Sequence, residues 1–205
     1  MGTSVKSNRI NVKNLVYTVL STDTNAGVEY GDVKSLAKAM TIQVTPSQAT
    51  GVLYGDGAQE ENLAKLTGLS AKFEVNKIAI ENRAEIQGHT YENGVMIYDK
   101  ADQAPYIAVG YQIEGTNSYS EYVWLLKGRV QEGNQNVDQA TDKINFSTDE
   151  MTINFIPREY DGYMEFTADT SNGDFYSDQA AAWLTTAPVT YPRHSETTTT
   201  TTTTS

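Results

Sequence analysis

Met151 to Ala168 reads MTINFIPREYDGYMEFTA. Two alternating apolar runs flank a compact PREYDG centre. Met151, Ile153 and Phe155 repeat every second position, the period of a half-buried strand. Pro157 cannot donate to a ladder and ends that strand. Asp161-Gly162 supplies the residue types of a tight turn, after which Tyr163 to Ala168 returns as another strand. The charged centre has two readings. Arg158, Glu159 and Asp161 are the residue types a hydrolase uses, with Glu159 and Asp161 as the two carboxylates of a glycosidase. Two acids around a turn are equally a common surface pattern, in a connection that stays in water or meets another subunit.

The segments just upstream support a β reading. In YIAVGYQIE, Ile107, Val109, Tyr111 and Ile113 share a face. In EYVWLLKGRVQ, Tyr122, Trp124 and Leu126 lie on one face and Val123, Leu125, Lys127 and Arg129 on the other. The GTNS between them is a turn sequence, so Tyr106–Gln131 is read as a hairpin. Asn14–Leu20 is rich in β-branched residues, and Met40–Val44 and Leu69–Val75 alternate; each reads as a strand. IAIENRAEIQ, residues 78–87, is the helix candidate, ended by Gly88 at the C′ position. Glu81 and Glu85 fall i,i+4 on what would be its wet face. Thr45–Gln59, TPSQATGVLYGDGAQ, has one proline, three glycines and few large apolar residues. It reads as a long exposed loop or an extended hairpin, with Thr45, Pro46, Leu53, Tyr54 and Asp56 as its candidate contact residues. Long loops of this kind are often functional. The fold class expected is mainly β, an antiparallel sandwich or barrel-like fold with one flanking helix.

Composition narrows the function. The chain has 205 residues, enough for one domain with a sizeable core. Its formal charge is −11, with 15 basic residues against 26 acidic ones. Gripping nucleic acid needs Lys and Arg to displace counterions from phosphates, so this balance argues against tight DNA binding. An acidic surface along which DNA slides is compatible with it. There are no cysteines, which excludes disulfides and thiol nucleophiles and fits a reducing compartment. The N-terminus has no apolar signal region and no apolar run is long enough to span a membrane. Thirteen tyrosines suit surfaces that become partly buried. The organisation expected is a polar arm at residues 1–13, one domain at 14–191, and a disordered Thr-rich tail at 192–205 that ends in eight threonines and a serine.

The search for chemistry returns no site. His89 and His194 have no partner at metal-ligand spacing, and no GxSxG elbow is present. YGDGAQ lacks the lysine of a phosphate loop, DTSNGD fails the EF-hand register, and the sequon at Asn145 has no meaning without secretion. No catalytic, metal or cofactor site is assigned, and an interaction or assembly protein fits better than an enzyme.

Several segments, taken in order, resemble the major tail proteins, or tail tube proteins, of long-tailed non-contractile bacteriophages, particularly the phi13-type family. VKNLVYTVL is similar to the family's opening strand, and VTPSQATGVLYGDGAQEE to its Thr-rich loop with an LYADDG-like segment. IENRAEIQGHTYENGVMIYDKADQAPYIAVGY is similar to its helix, GH exit and DQAPY-led strand. YVWLLKGRVQE and INFIPREYDGYMEF are similar to its late strands. The similarity spans residues 12–168; the Thr-rich end and the GVLYGDG wording depart from it. The resemblance implies a β-sandwich with a flanking helix and a long loop, in hexameric rings stacked into a hollow tube. It implies a structural virion protein, not an enzyme. Its partners would be further copies of itself, a tape measure protein, a tail terminator and distal tail or baseplate proteins. DNA would pass through the lumen without specific binding, and the protein would sit in the virion tail after assembly in the host cytoplasm. Pro157 to Gly162 would be a strand connection, Tyr106–Gln131 a lumen-side hairpin, and Thr45–Gln59 a loop reaching the adjacent ring. The competing expectations are a carbohydrate-binding or adhesion module and the tube protein of a contractile injection machine.

Overall fold

The structure, a computed structural model, describes residues 8–55, 58–131, 148–172, 180 and 182–190. Its strands are β1 (Arg9–Thr24), β2 (Gly27–Tyr30), β3 (Lys34–Ala37), β4 (Ala39–Gly55), β5 (Ala58–Val75), β6 (Thr90–Glu92), β7 (Val95–Ile97), β8 (Ile107–Gly115), β9 (Ser120–Gln131), β10 (Asp149–Phe155) and β11 (Glu165–Asp169). The helix α1 (Ile80–Gln87) lies between β5 and β6. The main sheet is antiparallel, in the order β2-β1-β8-β9-β10-β5-β4, with β3 also on β1 and β11 also on β9. β6 and β7 form a separate small hairpin.

The sheet folds over on itself. Leu15 and Tyr17 from β1, Val109 from β8, Ile153 from β10 and Phe73 from β5 lie in one apolar cluster, with Ile42 and Val44 of β4 packed on it. Strands from both ends of the sheet order therefore share a core, and β1 contacts β4 across it. This is the sandwich or barrel-like antiparallel architecture that the alternating pattern predicts. A smaller cluster on the outer face joins Ala108, Trp124, Leu126 and Phe166 to Ala187, with Trp183 and Leu184 beside it. Trp124 donates its indole N–H to the Trp183 carbonyl at 2.7 Å. Residues 182–190 thus strap over the back of β8 and β9.

The expected hairpin at Tyr106–Gln131 is present as β8 and β9. Its faces are assigned as the sequence suggests: Val123 and Leu125 enter the first core, Trp124 and Leu126 the second. The hairpin is buried on both faces over most of its length. The lumen-side role expected for it is therefore not available to its central residues, because a lumen wall needs a face left in water.

α1 begins at Ile80, two residues later than expected, and buries Ala84 and Ile86. Gly88 caps it in the left-handed conformation at φ 76°, its amide bonding to the Ala84 and Glu85 carbonyls. A Cβ at Gly88 would lie 2.2 Å from the Gln103 carbonyl oxygen, so close approach as well as φ requires glycine. Glu81 is exposed, but Glu85 turns inward: it accepts from the Tyr17 hydroxyl at 2.5 Å and pairs with Lys34 at 2.5 Å. Glu85 therefore shares the wet face expected for both acids only in part, its side chain being 34% exposed. Two uncharged or cationic partners from β1 and β3 offset the cost of turning Glu85 inward.

Two features differ from the sequence reading and one open alternative is resolved. Residues 9–13, expected in a polar arm, are strand: Arg9, Asn11, Val12 and Lys13 pair with Gly115, Glu114, Ile113 and Gln112. Polar side chains do not prevent this because Arg9 bonds Glu121, and Asn11 and Lys13 bond Glu114. The stretch at residues 45–59, read as a long exposed loop or an extended hairpin, is the latter: its described residues, 45–55 and 58–59, lie on the distal part of the long β4–β5 hairpin. Residues 1–7 and 191–205, the rest of the arm and the Thr-rich tail, lie outside the described residues.

The second difference concerns PREYDG. β10 pairs with β9 at Gly128–Gln131, and β11 pairs with the same edge of β9 at Glu121–Leu125. Both run antiparallel to β9, so they run parallel to each other's line and do not form a hairpin. The ladder closes on either side of the excursion: the Ile156 amide bonds the Lys127 carbonyl, and the Leu126 amide bonds the Met164 carbonyl, both at 2.9 Å. Residues 157–163 leave the sheet between two adjacent positions of β9, and the chain resumes in its original direction. Pro157 ends the strand and Gly162, at φ 74°, turns the chain, as expected. The turn closes a loop on one strand; it does not reverse the chain.

Candidate functional site

The PREYDG excursion is organised around a buried cation. The Arg158 side chain is 0% exposed. Its Nε donates to Asp161 Oδ1 at 3.1 Å and its Nη2 to Asp161 Oδ2. Its Nη1 donates to the Tyr30 hydroxyl at 3.2 Å and to the Pro188 carbonyl at 3.0 Å. Tyr30 in turn donates to the Leu126 carbonyl at 3.0 Å. The guanidinium also lies 5.5 Å over the Phe166 ring. A planar fork is the one cationic group that can serve a carboxylate, a phenol and a carbonyl at once. Burial raises the Tyr30 phenol above its ordinary value, with the Arg158 charge acting against that.

A second anchor comes from the end of β1. Asp23 accepts the Glu159 amide at 2.9 Å, the Tyr160 amide at 3.1 Å and the Lys127 ammonium at 2.6 Å. Burial raises the Asp23 pKa, but the Glu159 amide, the Lys127 bond and the Tyr160 amide outweigh it and hold the carboxyl below its usual value. Lys127 and Arg129 both approach the Tyr106 ring, at 5.0 and 4.2 Å. Of the acids read as a carboxylate pair, Asp161 is committed to Arg158 and to the Tyr163 amide, while Glu159 is exposed. The cluster holds a loop in place; it does not aim two carboxylates at a common point. Partners as distant in sequence as Tyr30 and Pro188 gave no local signal of this.

His89 is buried at the exit of α1, its Nδ1 2.7 Å from Asp102 Oδ2, with Tyr98 tilted against its ring at 4.1 Å. Asp102 also accepts the Asp99 amide at 2.9 Å. These contacts fasten the loop between β7 and β8.

The other candidate is the β4–β5 hairpin. β10 covers β5 only along Leu69–Val75. Beyond that, Gln48–Gly55 and Ala58–Leu66 pair with each other and with nothing else among the described residues. At about 3.3 Å per residue the paired ribbon reaches roughly 26 Å past the sheet. Residues 45–51 and 63–67 are exposed on both faces, Leu63 at 65% and Leu66 at 42%. Thr67 donates to the Ser47 carbonyl at 3.0 Å and closes the neck.

The residues expected as loop contacts fall on this hairpin. Thr45 and Pro46 pair with Ser70 and Leu69 at its base, where the missing N–H of Pro46 is harmless because β4 is an edge strand. Leu53 and Tyr54 pair by backbone with Glu61 and Gln59 near the tip. Asp56 lies outside the described residues. Two-stranded ribbons are marginal in water, so an exposed one with apolar side chains on both faces is a surface that gains from a partner.

No protein-family model matches this chain, and no curated protein matches it.

Proposed function

We propose that this chain is a structural protein that polymerises with its own copies, of the tail tube type: hexameric rings stacked into a hollow conduit for DNA in a phage virion. The observation that carries this reading is the β4–β5 ribbon, whose residues 48–51 and 63–66 are exposed and whose outer edges are unpaired among the described residues. An edge of that length invites pairing with another chain, and closed symmetry turns that tendency into rings and stacks of defined size. The formal charge of −11 per subunit supports a wall from which DNA is repelled. In this reading the tape measure, tail terminator and distal tail proteins are the other partners, and no ligand or cofactor is needed.

The binding-module reading draws less support. Stacking on sugars requires a row of exposed rings on a sheet. The sheet aromatics Tyr17, Tyr111 and Trp124 are buried.

Negative-stain electron microscopy of the full chain across a concentration series tests the proposal. Hollow tubes or six-fold rings are the expected result. Monomers at every concentration, with and without purified tail-initiation proteins, would overturn it.

A further inference from the structure

The two halves of the sandwich do not close completely. An open groove of about 520 Å³ lies between β4 on one side and β1, β8, β9 and β11 on the other. Its walls include Met40 and Ile42 of β4 and Tyr111 and Ile113 of β8. Met40 is 56% exposed and neighbouring Ile10 is 67% exposed, so apolar surface that belongs inside a sandwich faces water here. Two strand edges border the groove. Among the described residues, β4 pairs only with β5 and β11 only with β9. The groove is acidic at its β11 wall: Glu165 is exposed, and Glu121 is held by Arg9.

The ribbon of the same chain presents complementary chemistry. Gly51 pairs with Leu63, and Ala49 with Lys65, so these residues share one face. Among its described side chains that face carries a large apolar group, Leu63, and a cation, Lys65, with small residues opposite that let it approach another backbone closely. The described exposed segment 63–67 is about as long as the five-residue β11, roughly 17 Å.

We propose that the groove between β4 and β11 receives the ribbon of a second copy, with Leu63 against the apolar walls and Lys65 opposite Glu165. Backbone pairing to the open edges supplies affinity, as in strand addition, and the charge pair fixes the register. This rests on the self-assembly reading and names the acceptor surface for it. The occupant is a second copy because an apolar side chain, a cation and a strand length that match the groove's apolar walls, its acidic edge and β11 are all present on the chain's own ribbon.

The full chain, with no native cysteine, allows a direct test. Lys65→Cys and Glu165→Cys proteins are prepared separately, mixed under oxidising conditions, and digested for mass spectrometry. A 65–165 cross-link between chains is expected. In parallel, the self-association midpoint is measured by sedimentation velocity. Lys65→Glu and Glu165→Lys should each weaken association about tenfold, and the double exchange should restore it to within about threefold. Lys100→Glu, an exposed lysine on the loop after β7, gives the same charge change as Lys65→Glu and should leave the midpoint unchanged. If the wild type associates but no 65–165 cross-link forms, or the exchanged pair is no better than the single variants, this docking is wrong and assembly stands. If the wild type does not associate at all, both are wrong.

Discussion

Arg158 is fully buried, and Asp161, three residues on, accepts from two of its nitrogens. The pair ties a surface excursion to itself, while Tyr30 and Pro188 tie the same guanidinium to β2 and to the C-terminal strap. A single cation thereby links three segments that are remote in sequence. Its desolvation is offset by acceptors on most of its N–H groups.

Removing one partner leaves the other buried charge uncompensated. Arg158→Ala is expected to lower the unfolding free energy by about 3–5 kcal/mol, read by equilibrium urea denaturation. Arg158→Lys should recover little of the loss, since one ammonium cannot reach Asp161, Tyr30 and Pro188 together. The Arg158→Ala/Asp161→Ala double variant should lose clearly less than the sum of the singles. Additive losses would show that the two side chains are not coupled.

Acid should loosen this region first. Burial pushes Asp23 up, but the Glu159 amide, Lys127 and the Tyr160 amide bring its net value below the ordinary one. Glu85 behaves alike, with burial outweighed by Lys34 and Tyr17. A depressed folded-state value means a stabilising contribution that is full above the unfolded value of about 4 and is lost as pH falls through the folded value. The urea midpoint should therefore fall as pH drops below about 5. Asp23→Asn should start lower at neutral pH and show a flatter acid limb; a limb identical to wild type would remove Asp23 from the account.

Gly88 separates two kinds of strain. Its φ of 76° alone is tolerable to asparagine. The Gln103 carbonyl, 2.2 Å from the position of a Cβ, is not. Gly88→Ala and Gly88→Asn should both destabilise by more than the roughly 1–2 kcal/mol of the left-handed conformation. Recovery in the asparagine variant, measured by thermal melting, would show that φ was the whole cost.

The sequence made the core strands plain and hid the surface ones, for physical reasons. Met151, Ile153 and Phe155 alternate because only one face of β10 is buried, while Ile107, Val109, Val123 and Leu125 fall on the face of β8 and β9 that fills the first core, the other face meeting the second. The described side chains of the ribbon, residues 48–51 and 63–66, are exposed on both faces, so burial imposes no such pattern on them. Its glycines and Pro46 left a loop and an extended hairpin both open, and an edge strand accommodates both residue types. PREYDG carries correct local signals, a strand end and a turn. Whether the chain reverses or resumes depends on which edge of β9 receives residues 165–169, and that is a non-local choice. The inward turn of Glu85 had the same origin: its partners Tyr17 and Lys34 lie some fifty residues or more upstream.

The ribbon is the element whose loss should separate folding from assembly. Replacing residues 48–66 with an Asn-Gly turn joins Ser47 to Thr67 across a neck already closed by a hydrogen bond. The residues removed include 48–51 and 63–66, all exposed, so little core burial is lost. The base of the hairpin keeps its pairing to β10 through Leu69–Val75. Unfolding free energy should change by less than about 1 kcal/mol, as for surface positions away from buried features. Self-association should disappear in sedimentation velocity and in electron micrographs. A truncated chain that is stable and still builds normal tubes would show that the ribbon is dispensable and move the contact to other edges such as β11. A truncated chain that unfolds would show instead that the ribbon supports the fold of the single subunit, contrary to the exposure of both its faces.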